Sequence, residues 1–335
     1  MIAKSSGLKQ PDKMKDHNME YRPLSKNASV KVSRFALGTG FRARADEKTC
    51  EAVLNRAIEL GCNFIDCANF YGRGRSETIV GNVIKDKRDD LIITSKVWSP
   101  IGEGPNDRGL STFHIMREAE RSLKRLQTDH IDIYLLHHID PETRLEETLR
   151  AMDNLVQQGK VRYIGCCNHT GPLLVEALWI ADKHNYAPYA CIQNPYSLLE
   201  RYKMEADLMP VTDKFGMGIM TYSPLAVGLL TGQFRKGQPL TGLWTTRQDR
   251  FETYMTDQAD AVIQTVVDIA KEHGVTPAQI AIAWLLDHDN IVPILGPDHP
   301  DQVDDVFGAL KIELSTEQRE KLDTVSQPPE IQHIA

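Results

Sequence analysis

From about residue 32 onward the chain alternates short runs of Val, Ile and Leu with longer stretches whose apolar positions recur at helical spacing, and this alternation keeps its character through residue 294. It reads as a βα repeat. Strand-like runs fall at 34–37, 63–68, 91–96, 131–137, 163–167, 191–193, 218–222 and 291–294. They show little polar alternation, which suits parallel strands covered by helices on one side and by a filled interior on the other. Helical patterns occupy 47–60, 76–86, 111–126, 145–158, 173–184, 205–215 and 259–272, and Gly61, Gly159 and Gly216 stand where a left-handed C-terminal cap is expected. Thr276, Pro277 and Gln279 set a cap, an N1 proline and an N3 glutamine in order, so a further helix should run to about residue 286. Ser315 and Gln318 repeat the box and open a last helix beyond the final strand.

Eight such units predict a single (β/α)8 TIM barrel over 19–330 with an extra C-terminal helix, preceded by a polar, Lys-rich flexible extension at 1–18. A doubly wound sheet is the competitor; it more often has five to seven strands and would leave the last two units to a second domain, yet no Pro/Gly/Ser linker marks that boundary. The longest non-repeating stretches are 98–110, after the third strand, and 223–257, after the seventh. Both follow the C-terminal end of a strand, where barrel enzymes build their sites.

The 39 Lys and Arg against 46 Asp and Glu give a net charge of −7, which offers no global attraction to nucleic acid or to an anionic membrane. No apolar run reaches membrane-spanning length and no secretory h-region opens the chain, so the expected location is cytoplasmic. Six dispersed cysteines argue for reduced thiols, with Cys50, Cys62 and Cys191 as small core residues. His137 with His138, or Cys166 with Cys167, could suggest a metal, but neighbours on a strand point to opposite faces and neither pair should chelate; no metal is expected.

The second strand delivers Asp66 to the rim with Tyr71 in the loop behind it, the third delivers Lys96, and the fourth delivers His137. Such a set fits protonation of a carbonyl oxygen as hydride reaches the carbon. Tyrosine is a poor acid or base near neutrality, and a neighbouring ammonium stabilises its phenolate. A lysine in a strand interior in turn needs a carboxylate, and an imidazole can hydrogen-bond the carbonyl. A different reading takes Gly38, Thr39 and Gly40, with Phe41, Arg42 and Ala43, as a Rossmann fingerprint and Asp66 as its ribose acid. It leaves Tyr71, Lys96 and His137 without a role.

At these residues the chain resembles the aldo-keto reductases. Segment 61–77 (GCNFIDCANFYGRGRSE) looks like the family's first signature, 133–141 (IYLLHHIDP) and 159–165 (GKVRYIG) are similar to its second, and 222–225 (YSPL) with 228–232 (GLLTG) resembles its cofactor loop. The likeness is closest to the branch that includes bacterial aldo-keto reductases and potassium-channel β-subunits. It implies an NAD(H)- or NADP(H)-dependent oxidoreductase acting on an aldehyde, ketone or sugar carbonyl, with a tetrad of Asp66, Tyr71, Lys96 and His137 and Tyr71 as proton donor. It also implies that Asn168 and Gln193 hold the nicotinamide carboxamide and that Tyr222 stacks on the ring. Ser223, Pro224, Leu225, Ala226 and Gly228 would wrap the pyrophosphate, while Gly296 and Gln302 would lie near the adenosine. Gly38, Thr39, Gly40, Asp66 and Cys167 are expected to border the cofactor as well. The alternative from another class is a cofactor-binding regulatory subunit with only slow redox turnover; a homo-oligomer is compatible with either.

Departures from the family pattern bear on the cofactor. Cys67 and Cys167 replace the usual Thr and Ser, and Cys167 is the weaker hydrogen-bond partner. Asp298 stands where Arg or Ser is common, Gln233 where Lys is frequent, and Val306 where Asn occurs. A carboxylate repels a 2′-phosphate and accepts from a 2′-hydroxyl, which leans the expectation toward NAD(H). Trp98, two residues beyond Lys96 and so on its strand face, is expected to wall the substrate pocket, as are Trp244 and Tyr254. Arg235, Arg247 and Arg250 of the seventh loop could reach cofactor phosphates.

Overall fold

The computed structural model describes residues 19–41 and 46–328; the expected extension at 1–18, residues 329–330 of the expected barrel range, and Arg42 and Ala43 of the fingerprint lie outside them. A two-stranded antiparallel hairpin, β1 (Tyr21–Pro23) and β2 (Lys31–Ser33), precedes the repeat. Eight parallel strands then close into a barrel in the order β10-β3-β4-β5-β6-β7-β8-β9. They are β3 (Ala36–Gly38), β4 (Phe64–Asp66), β5 (Ile92–Val97), β6 (Ile131–Leu136), β7 (Val161–Cys167), β8 (Tyr189–Pro195), β9 (Gly218–Tyr222) and β10 (Ile291–Leu295). Closure removes the doubly wound alternative, because β3 pairs with both β4 and β10 and no sheet edge remains there.

The outer layer is built from α1 (Glu47–Glu59), α2 (Arg75–Ile84), α3 (Thr112–Leu126), α4 (Leu145–Gln157), α5 (Gly171–His184), α6 (Met209–Phe215), α7 (Gln248–Tyr254), α8 (Asp257–His273), α9 (Pro277–Leu286), α10 (Pro300–Phe307) and α11 (Thr316–Val325). Thr276 and Ser315 each accept from the N3 backbone while Gln279 and Gln318 reach back, so both capping boxes form as the sequence predicts. Gly61, Gly159 and Gly216 all adopt positive φ. The helix predicted at 205–215 begins within a π-turn over Lys203–Leu208 and is α-helical only over Met209–Phe215.

The hairpin, which the sequence pattern does not reveal, plugs the N-terminal mouth. Its Leu24, Ala28 and Val32 join Ala36, Phe64 and Met220 of the barrel in one buried cluster. Asn63 fastens it: its Oδ1 accepts from Ser33 N–H at 2.7 Å and its amide donates to Lys31 O at 3.0 Å. With that end closed and the interior packed, side chains at the C-terminal strand ends share the open rim.

Candidate active site

Asp66 ends β4, Lys96 lies one residue from the end of β5, and His137 follows β6 directly, so neighbouring strands carry these side chains to one point. Lys96 is fully buried. Its Nζ donates to Asp66 Oδ2 at 2.7 Å, to Cys67 O at 2.9 Å and to Tyr71 Oη at 3.3 Å. The other oxygen of Asp66 accepts from Thr94 Oγ1 at 2.7 Å and from Gln193 Nε2 at 2.8 Å. The His137 ring stands edge-on to Tyr71, with centroids 5.8 Å apart. The structure therefore brings together the whole predicted tetrad.

Electrostatics follow from burial and from the single ammonium. Desolvation alone would lower Lys96, but Asp66, Tyr71 and Cys167 outweigh it and hold the ammonium above its ordinary range. Burial raises the Tyr71 phenol and the Lys96 charge lowers it; burial prevails, so in the free protein Tyr71 is a protonated acid. Burial first, then the Lys96 and His138 charges, lower His137 to about 2, leaving a neutral ring. His137 Nδ1 is buried without a hydrogen-bond partner among the described residues. A buried N–H with no acceptor is the costlier orphan, so we assign the proton to Nε2.

Two expectations about neighbours change. β6 stops at Leu136, and the His137 and His138 rings stack at 5.0 Å with 20° between planes rather than pointing to opposite faces. β5 stops at Val97; Trp98 leaves it at φ 153° and packs on His138 at 4.8 Å, with Nε1 buried and unpartnered among the described residues. Trp98 thus stands beside the site through loop geometry, not strand alternation. Trp244 is buried against Phe234, Phe251 and Tyr254, which makes it the core of the 223–257 loop instead of a pocket wall. Arg235 is held by both oxygens of Asp260 and by Gln264, which ties it to α8. Arg250 lies over the Tyr254 ring.

A dinucleotide fits the donor set along the rest of the rim. Asn168, at φ 62°, accepts from Tyr222 Oη at 2.8 Å and donates to His137 O at 2.9 Å, which links these two residues to the tetrad. Ser223, Ala226, Val227 and Gly228 all have positive φ, and the Ala226 and Gly228 N–H groups donate to Ser223 O at 2.8 Å and Leu225 O at 2.9 Å, which folds the segment into tight turns at the rim. A Cβ at Gly40 or Gly296 would meet nothing within 4 Å, so both leave open space beside the rim. Gly38 is different: a Cβ there would come within 2.8 Å of Ile294. The Thr39 hydroxyl is taken up by Asp66 O and Ser76 Oγ, and the Cys167 thiol is buried and raised by desolvation.

Toward the predicted adenosine end, Asp298 N–H donates to Gln302 Oε1 at 2.7 Å, while Gln233 is exposed and Val306 buried. The Cys50 thiol, raised first by burial, also feels Arg75, Asp46 and Asp298, and Arg75 Nη2 lies 4.0 Å from its sulfur. Arg75 of α2 also has its Nε 3.9 Å from Glu47 Oε1. Among the described residues no cluster of His, Cys, Asp and Glu is placed to hold a metal ion, and no helix is long and apolar enough to cross a membrane.

A closed barrel of eight parallel strands that gathers Asp66, Tyr71, Lys96 and His137 at its C-terminal rim has the architecture of the (β/α)8 enzymes, which build their sites at that end. The chain belongs to the Aldo/keto reductase family, whose sequence profile matches residues 34–327. It is 37% identical over 324 residues to "Uncharacterized oxidoreductase YrpG" of Bacillus subtilis (strain 168), covering 93% of this chain and 97% of that one. It is 32% identical over 308 residues to "Probable voltage-gated potassium channel subunit beta" of Arabidopsis thaliana, with 88% and 92% covered. A protein of the same description from Oryza sativa subsp. japonica is 32% identical over 321 residues, with 92% and 97% covered.

Proposed function

We propose that this protein reversibly reduces an aldehyde, ketone or sugar carbonyl, with Tyr71 as the proton donor and a nicotinamide dinucleotide held by Asn168, Gln193, Tyr222 and the 223–228 turn. The observation that carries the reading is the placement of Lys96 Nζ, which reaches the Asp66 carboxylate and the Tyr71 phenol at once beneath His137. The neutral His137 donates Nε2–H to the carbonyl oxygen and orients it. Tyr71 gives its proton to that oxygen, and Lys96 stabilises the phenolate left behind. Asp66 keeps Lys96 charged and fixes its direction. A nicotinamide held by these residues would supply the hydride chemistry, giving hydride in reduction and taking it up in oxidation.

NAD(H) is the favoured cofactor on the strength of Asp298. The plant relatives favour a second reading, a cofactor-binding subunit whose redox turnover is slow. A panel of carbonyls and sugar alcohols, assayed separately with NAD(H) and NADP(H), tests both: turnover well above a trace that Tyr71→Phe abolishes supports the enzyme, and cofactor binding with only trace turnover supports the subunit.

A further inference from the structure

Behind the tetrad, on the helix side of the barrel wall, two carboxylates are buried to zero exposure: Glu77 in the first turn of α2 and Glu118 in α3. Arg125 lies between them. Its Nε donates to Glu77 Oε2, and its Nη2 sits 3.7 Å from Glu118 Oε2. Glu77 Oε1 accepts from the Ser95 hydroxyl, and Glu118 Oε2 accepts from Asn69 Nδ2 at 3.3 Å.

These two contacts fall on the backbone that carries the proton-transfer groups. Ser95 precedes Lys96 on β5, so the serine points to the helices while the lysine points to Asp66 and Tyr71. Asn69 belongs to the loop that carries Tyr71, and its own N–H donates to Lys96 O at 3.4 Å. Tyr71 O accepts from Ser76 N–H at 3.1 Å, and Ser76 is bonded directly to Glu77. The phenol and the ammonium are thus anchored from behind to one charge cluster. Gly74 lets that anchor form: at φ 92° it lies under the Arg125 side chain, and a Cβ there would come within 2.7 Å of Arg125 Cδ.

We propose that Glu77, Arg125 and Glu118 are positioning residues for proton transfer, setting the Tyr71–Lys96 separation through Ser95 and Asn69. A buried ion cluster is a poor way to gain stability, since apolar packing of equal volume commonly does as well; what it provides is a fixed geometry. The proposal rests on the tetrad reading given above, and the test separates the two.

Ser95→Ala removes the hydroxyl that joins β5 to Glu77, and Arg125→Lys keeps the charge but cannot bridge both carboxylates. Either folded variant is expected to lower kcat about ten- to a hundredfold, with KM and cofactor affinity within about twofold of wild type. The pH midpoint for alcohol oxidation should also move upward, because a loosened ammonium stabilises the phenolate less. Tyr71→Phe is assayed in parallel. Undiminished turnover in Tyr71→Phe would remove the tetrad reading itself. Loss of turnover there, alongside Ser95→Ala and Arg125→Lys with wild-type kcat and pH midpoint, would overturn the positioning role alone. So would a kcat loss that comes with a raised KM, a lowered melting temperature and an unmoved midpoint, the pattern of a merely structural cluster.

Discussion

Lys96→Met tests the centre of the proposed site. At 2.7 Å the Lys96–Asp66 attraction has a ceiling of about 6 kcal/mol in an effective dielectric of about 20, and removing one partner of a buried pair costs about 3–5 kcal/mol. At 3.3 Å the ammonium favours phenolate over phenol by at most about 5 kcal/mol in the same dielectric, or roughly 3–4 pK units. Burial already raises the phenol, so without Lys96 alcohol oxidation should lose its rise with pH inside the accessible range. Urea unfolding and the pH profile of oxidation measure the two effects. Asp66→Asn combined with Lys96→Met separates them: with no unpaired charge left, stability should return to within about 2 kcal/mol of wild type, while oxidation stays lost. Wild-type stability in Lys96→Met would refute the buried pair. Recovery of oxidation in the double variant would refute the role of the ammonium.

Other perturbations reach different parts of the molecule. Tyr71→Phe should lower kcat by about 10²–10⁴-fold and leave cofactor affinity within about twofold, as steady-state rates and fluorescence titration will show. Because His137 is held to about 2, no imidazole limb should appear in kcat between about pH 5 and 9. His169, buried and lowered to about 4 chiefly by desolvation, stays neutral in the fold while the unfolded chain takes up a proton near pH 6.5. Its contribution therefore destabilises the fold as pH falls, by about 2 kcal/mol between pH 7 and 5, and His169→Gln should remove that slope from urea midpoints. Asp298→Arg should move preference toward NADP(H) by about one to two orders of magnitude in cofactor titrations, from about 1–2 kcal/mol of like-charge contact relieved and replaced by attraction. Strong NADPH preference in the native protein, unaltered by the substitution, would refute the role of Asp298.

What the sequence discloses here depends on how local the cause is. The eight barrel strands and the two capping boxes were readable because each is set by a short run of apolar residues or by two polar residues three positions apart. The hairpin at 21–33 was not, since three-residue strands show too little alternation and are held by Asn63 from another element. The helix Pro300–Phe307 escaped because its start, after Gly296 and Pro297, reads as loop.

The same distinction divides the site. Asp66, Lys96 and His137 were legible as a set because parallel strands in a barrel deliver successive C-terminal ends to one rim, whatever their side chains do afterwards. Side-chain partners are another matter. Gln193 reaches Asp66 across 127 residues of sequence, and no spacing rule connects them. The stacked His137 and His138 defeat strand alternation because the strand ends one residue earlier. Nothing in the sequence pattern singles out Glu118 or the role of Glu77; the packing of α2 and α3 buries both, Glu77 against Ser95 of β5 and Glu118 against Asn69 of the Tyr71 loop. Placement that depends on which residues reach the rim was therefore readable in advance, whereas placement that depends on what holds them there required the packed structure.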